Sequence, residues 1–395
     1  MTSNKPISKS KKPILNLDVL SATLSIDKVE LLRVDSLPSD EKYKQITLAK
    51  IDGSKRIVYS LSADLRKIQS RINKRIFREL IIWPDYLFGS VPNENDNDDS
   101  IRRDYVACAE LHCGAKSILK VDIKDFFDHI HRDLVKQIFE NVLNIHNDAL
   151  ELITNLCCKD DFIVQGALTS SYIATLCLFD QEHEIVTRTR RNGLVYTRLV
   201  DDITVSSKLS NFDFSHIQMH IDNMLASKDL PINKSKSKVT KVSMEPLTVH
   251  GLRVDFISPR VPSDEVKRIR ASLHNLNMLV KKSNSRTSAA YRKEYNRCLG
   301  RINRLGRLGH NKYPIFLESI KKIIPLPSWR DVLKTKAALK SLESSYSKGN
   351  KNKSWYIRKY DLTYHRTAIL NRSPVFNKLV IYIRNKLNGI KPDER

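Results

Sequence analysis

Two adjacent carboxylates, Asp201 and Asp202, sit inside the run Tyr196-Thr-Arg-Leu-Val-Asp-Asp-Ile-Thr-Val205, where an apolar β-run would otherwise simply turn. A third, Asp122, has a similar setting in Leu119-Lys-Val-Asp-Ile-Lys-Asp-Phe-Phe127. Each run reads as a short strand rich in Val, Ile and Leu with acid at its end, so the three acids are expected to meet at one edge of a shared sheet. A two-metal phosphoryl-transfer site is built this way. Two divalent cations roughly 4 Å apart need anionic oxygens from more than one segment, because one ion lowers the pKa of an attacking hydroxyl while the other stabilises the leaving oxygen.

The 395 residues, 41% of them hydrophobic, are enough for a globular chain of two or three structural units. The formal charge of +24 is uneven: residues 262–322 hold 15 Lys and Arg against 4 acids, and residues 323–395 hold 16 against 5. A nearly neutral first two-thirds carrying the acidic site, followed by a strongly basic last third, suits a polymer of phosphates passing a metal centre better than a merely solvated surface. No stretch approaches the ~20 apolar residues of a membrane span, so no membrane partner is expected. The N-terminus Met-Thr-Ser-Asn-Lys-Pro lacks the apolar core of a signal peptide, and the six cysteines show no paired C-x-x-C spacing. A cytoplasmic protein with reduced thiols is expected. Cys108, His112 and Cys113 lack a second ligand pair at a zinc-site interval and read as ordinary packing.

Along the chain, residues 1–13 are polar and read as loose, and 14–34 has helical leucine spacing. Strands at 45–51 and 56–60 flank Asp52-Gly53, a hairpin signal. A helix is expected over 62–82, capped by Ser62, then an acidic loop at 92–100 and a helix over 102–113. The Asp122 strand precedes a helix near 132–143. One helix over 169–190 leads to the Asp201 hairpin, and another covers 214–227. A strand pair at 238–242 and 247–256 follows, then basic helices at 263–282, 288–304 and 314–324.

Taken in order, these segments resemble bacterial reverse transcriptases, in particular those of retrons and related defence systems, over roughly residues 43–322. An Asp-Asp pair alone is common. The specific signal is the ordered set of a basic hairpin, Asp122 with Phe127 five residues on, Gln165-Gly166, Asp201-Asp202, Asn233-Lys-Ser-Lys236 and a Gly-containing hairpin at Val249-His250-Gly251-Leu252. The resemblance implies an α+β right-hand polymerase: an N-terminal helical segment at 1–42, fingers at 43–118, a palm with an antiparallel sheet at 119–261, a helical thumb at 262–324 and a basic extension at 325–395.

It also implies roles. Lys55 and Arg56 would neutralise an incoming triphosphate, unless they are two exposed charges at a turn. Asp122, Asp201 and Asp202 would hold two Mg2+ ions, with Mn2+ as a substitute, and the Ile123 carbonyl would add a neutral oxygen. Phe127 would close the space beside the sugar 2′ carbon, the alternative being a core aromatic. Asp125 matches an acid of some relatives and equally a surface residue. Gln165 and Gly166 would shape the nucleotide and template floor, or form a plain turn. Lys236 would protonate the leaving pyrophosphate, although Lys234 and Lys238 flank it. His250 and Gly251 would grip the primer, and Arg297, Arg301 and Arg304, on one helical face of the thumb, would contact phosphates or form a solvated basic face. Trp355, Tyr356, Tyr360 and Tyr364 in the extension fit stacking on unpaired bases, or a small packed subdomain.

Four departures stand out. Ser171 replaces the Pro of Gln-Gly-x-x-Thr-Ser-Pro, and Leu199-Val200 replaces the Tyr-Ala of Tyr-Ala-Asp-Asp, removing a phenol at the primer end. His250 replaces the Thr of Val-Thr-Gly, and Cys108 replaces the Asn of Asn-Ala-x-x-His. The implied activity is addition of dNTPs to a primer 3′ hydroxyl on a noncoding RNA template, giving a DNA product, in antiphage defence with an effector protein or second polymerase subunit as a further partner. Template-independent or protein-primed DNA synthesis is one rival reading. An RNA-binding scaffold with an inactive polymerase site is another.

Overall fold

The computed structural model describes residues 5–10, 12–49, 53, 55–93 and 102–393. Asp52 and most of the acidic loop at 92–100 lie outside the described residues. The chain divides into two compact units, Met1–Arg260 and Val261–Arg395.

In the first unit, strand β1 (Ile7–Ser8) opens the chain, followed by the long antiparallel hairpin of β2 (Tyr43–Ala49) and β3 (Lys55–Leu61). Further strands are β4 (Ile81–Ile82), β5 (Leu87–Phe88), β6 (Ser117–Asp122), β7 (Val195–Leu199), β8 (Asp202–Ser207) and β9 (Lys238–Lys241), then a short hairpin of β10 (Thr248–Val249) and β11 (Leu252–Arg253). A five-stranded sheet in the order β5-β7-β8-β6-β9 forms the centre. Its middle strands β6 and β8 are buried along almost their whole length, the polar Ser117, Thr204, Ser206 and Ser207 included. Helices Arg132–Asn141, Asn147–Cys157 and Ser215–Ala226 bury Leu, Ile, Val and Phe in the same core.

Several expectations change. The helical spacing at 14–34 resolves into two helices, Leu17–Leu24 and Lys28–Asp35, separated where Ser25 takes a left-handed φ of 50° and Asp27 caps the second. Ile7 and Ser8, expected to be loose, pair with Ile82 and Ile81. The helix capped by Ser62 runs Ala63–Ile72 and passes into a π-helical turn, Asn73–Phe77, before the chain becomes β4. The expected helix at 169–190 is two, Ser170–Leu176 and Glu182–Arg191, the break turning Glu182 into the interior. The segments at 238–242 and 247–256 do not pair with each other: β9 pairs with β6, while β10 and β11 pair through their own two-residue turn.

The second unit is helical. Ser263–Val280, Ala289–Arg307 and Tyr313–Lys321 match the three expected basic helices to within a turn. Trp329–Ser347, Ser354–Leu370 and Asn377–Gly389 form a further bundle around Val332, Leu342, Tyr356, Tyr360 and Ile383. Tyr356 and Tyr360 therefore belong to a packed core, whereas Trp355 and Tyr364 remain exposed. Among the described residues no helix is long and apolar enough to cross a membrane.

Candidate active site

Antiparallel pairing of β6 with β8 runs from Ser117 opposite Ser207 to Asp122 opposite Asp202, so the two acids face one another at the strand ends. Directly opposite residues in such a ladder bring their Cβ atoms within about 5.5 Å. Asp201 follows in the two-residue turn between Leu199 and Asp202, and its carbonyl accepts the Ile123 amide at 3.1 Å. The other turn residue, Val200, has a φ of 60°, an uncommon conformation for a β-branched side chain that costs about 1–3 kcal/mol.

Arg198, fully buried on β7, holds that turn: its Nη1 donates to the Val200 carbonyl at 3.0 Å. The same guanidinium forks onto Glu182, Nε to Oε1 at 2.6 Å and Nη2 to Oε2 at 2.8 Å, and Tyr196 donates its hydroxyl to Glu182 at 2.8 Å. Sequence reasoning assigned neither Arg198 nor Glu182 a role.

The three carboxylates sit in different fields. Burial and the like charges of Asp202 and Asp122 push the Asp201 carboxyl up from its usual value. Burial acts upward on Asp202 too, but the hydrogen bond and charge of His250, with Asp122 and Lys236, outweigh it and hold Asp202 below the ordinary range. Asp122, almost fully buried, accepts Asn233 Nδ2 on Oδ2 at 2.9 Å and Lys236 Nζ on Oδ1 at 3.3 Å. Its backbone amide donates to Ser237 Oγ at 3.1 Å, and its carbonyl accepts the Asn233 amide at 2.8 Å. The Asn-x-x-Lys segment thus wraps Asp122, with Asn233 and Ser237 as contacts that the motif alone did not assign.

A divalent cation fits this donor set: hard carboxylate oxygens crowd closely enough that the charges of Asp202 and Asp122 raise the proton affinity of Asp201, a repulsion that a dication relieves. Among the described residues no group of three or more His, Cys, Asp and Glu side chains is already closed into a metal-holding cluster. The Lys236 ammonium lies on Asp122 and the His250 ring on Asp202. The backbone bridge between Ile123 and Ile232 runs through the Asp122 carbonyl and the Lys124 amide, not through the carbonyl of Ile123.

Beyond Asp122, Asp125 at a φ of 44° opens a single 3-10 turn, Phe126–His129. Phe126 enters the core and Phe127 stays half-buried at its edge. Gln165 presents its carbonyl to the Tyr59 amide of β3 at 2.7 Å. Gly166 has a φ of 103°, and a Cβ there would stand 2.2 Å from the Tyr59 carbonyl oxygen, so only glycine allows the close approach. The pair therefore braces the β2-β3 hairpin against the core. Lys55 and Arg56 lie exposed at the far end of that hairpin, opposite Ala49 and Leu48.

His250 and Gly251 form the β10-β11 turn with φ values of 47° and 73°, the positive pair that a two-residue hairpin with matching twist requires. Gly251 is exposed, whereas the imidazole turns inward. His112 bridges Ser206 and Thr197 at 2.7 Å each, within the fold and away from any metal role. On the helix Ala289–Arg307, Arg297 and Arg301 are exposed, Arg297 pairing with Glu294. Arg304 instead forks onto Glu265 of the neighbouring helix at 2.8 and 3.0 Å.

The family model described as reverse transcriptase (RNA-dependent DNA polymerase) matches residues 48–267. The Retron Ec48 reverse transcriptase of Escherichia coli is 60% identical over 98% of this chain and 95% of its own length. The Retron Se72 reverse transcriptase of Salmonella heidelberg is 30% identical over 96% and 97%, and the Retron Ec86 reverse transcriptase of Escherichia coli 27% identical over 67% and 79%. The expected polymerase fold and enzyme class hold: this chain belongs to the retron reverse transcriptases, RNA-directed DNA polymerases.

Proposed function

We propose that this reverse transcriptase copies a dedicated noncoding RNA, adding dNTPs to a 3′ hydroxyl at the edge where Asp122 and Asp202 face each other and Asp201 follows in the turn. That register is the observation that carries the reading. Asp122, Asp201 and Asp202, with the Ile123 carbonyl, would hold two Mg2+ ions, for which Mn2+ could substitute. Bound there, the cations activate the attacking hydroxyl and stabilise the leaving oxygen.

The surrounding residues divide the remaining work. Lys236, beside Asp122, donates a proton to the departing pyrophosphate as its charge develops. Phe127 excludes a 2′ hydroxyl, and Gln165 with Gly166 sets the floor on which the nucleotide lies. Lys55 and Arg56 neutralise the triphosphate, Gly251 in the first unit contacts the primer, and the exposed Arg297 and Arg301 of the second unit contact nucleic-acid phosphates. The setting in antiphage defence, with an effector protein or second polymerase subunit, rests on family resemblance alone.

The test is to sequence the nucleic acid that copurifies with the chain before and after adding dNTPs and Mg2+, beside Asp201→Asn. Extension of DNA complementary to one RNA species, absent in the variant, is expected. Untemplated product, or full product from the variant, would overturn the reading.

A further inference from the structure

Cys108 and His250, two positions where the sequence departs from the pattern of its family, lie 142 residues apart in the chain and touch in the fold, with His250 Nε2 3.4 Å from Cys108 Sγ. On the other side of the ring, Nδ1 lies 3.6 Å from Asp202 Oδ2. The thiol is fully buried and the imidazole only 10% exposed, so the packing that holds one constrains the other.

Behind Cys108 the contacts continue. Its thiol donates to Thr197 Oγ1 at 3.2 Å, and Thr197 Oγ1 also lies 2.7 Å from His112 Nε2, whose Nδ1 is 2.7 Å from Ser206 Oγ. Burial, with the nearby charges of His250 and Lys120, pushes His112 down to about 3, so its ring is neutral, with one donor and one acceptor nitrogen. With the thiol donating to Thr197, Thr197 O–H donates to His112 Nε2 and His112 Nδ1–H to Ser206, which joins Cys108, Thr197, His112 and Ser206 in one hydrogen-bonded chain with the His250 ring against the sulfur. Thr197 and Ser206 stand on β7 and β8, the strands joined by the Val200-Asp201 turn. The ring that faces Asp202 is thereby tied to the frame that carries Asp202.

We propose that Cys108 and His250 form one coupled positioning unit for Asp202, so that neither can be exchanged alone without loosening that carboxylate. Threonine at 250 is too short to reach both sulfur and carboxylate. Asparagine at 108 is larger than cysteine and would crowd the imidazole. The two exchanges compensate in size only when made together. The inference rests on the reading of Asp202 as a metal-facing acid.

The experiment uses the full chain with Cys108→Asn, His250→Thr, the double variant and Cys108→Ala, which leaves space and folds even where asparagine does not. Two quantities are measured: the Mg2+ concentration for half-maximal dNTP incorporation, and the rise in Tm that Mg2+ produces without substrates. Each single variant is expected to raise the Mg2+ midpoint about 5–10-fold and shrink the Mg2+-dependent Tm rise, with the double variant within about 2-fold of wild type. Single variants at the wild-type midpoint, or a double variant showing the product of the single effects, would overturn the coupling. A wild-type chain with no Mg2+ response in either measurement would overturn the metal-site reading itself, and the inference with it.

Discussion

Arg198 and Glu182 meet as a bidentate ion pair with side chains 0% and 2% exposed, on a strand and a helix that both lead to the acidic turn. Removing one partner leaves a buried charge uncompensated. Arg198→Met is therefore expected to lower unfolding stability by about 3–5 kcal/mol. Replacing both, with Glu182→Leu, should restore much of it while leaving the Val200 carbonyl without its donor. Urea denaturation and dNTP incorporation on the same proteins separate the two effects: the double variant regains stability more fully than activity.

The Asp201 carboxylate carries a cost to the fold. Its carboxyl is raised by burial and by Asp202 and Asp122, so the ionised form destabilises the folded chain above its folded pKa, and the penalty disappears as pH falls through that pKa. Asp201→Asn is expected to raise Tm by about 1–3 °C at pH 7.5 without divalent cations, a gain kept modest by partial exposure. The gain should vanish near pH 4, where an unperturbed carboxylate also protonates. Added Mg2+ should stabilise the wild type and not the variant.

Gly166 tests the brace between Gln165 and β3. With Tyr59 backbone at 2.2 Å from any added Cβ and a φ of 103°, Gly166→Ala must displace the hairpin that carries Lys55 and Arg56. A stability loss of about 2 kcal/mol or more is expected, with a higher KM for dNTPs, measured by denaturation and steady-state kinetics.

Arg301 and Arg304, one turn apart, should behave differently. Arg301→Ala is expected to reduce the salt slope of RNA binding by about 1, as loss of one phosphate contact does. Arg304→Ala breaks the pair with Glu265 and should lower stability by about 1 kcal/mol with little change in slope. Filter binding across a salt series, beside thermal unfolding, distinguishes them.

The strands ending in Asp122 and Asp202 were legible because apolar runs of the right length carried acids where strands should end. The basic helices at 263–282 and 288–304 were legible through their period and charge. Arg198 was not, since an arginine inside a strand pattern reads as a solvent-facing residue, and its partner lies 16 residues back in a stretch that reads as one unbroken helix. The inward turn of His250 was hidden for a similar reason: local spacing identifies a hairpin turn but not which side chain the core on either side will take in. Helix Asn147–Cys157 was missed, its His146 N-cap offering no side-chain bond to mark the start.

The central claim is that Asp122, Asp201 and Asp202 share cations at one sheet edge. Anomalous diffraction from crystals soaked with Mn2+ and a non-hydrolysable dNTP tests it most directly. Two peaks about 4 Å apart within coordination distance of these carboxylates are predicted. Mn2+ bound elsewhere, with the three side chains making no contact to it, would contradict the account.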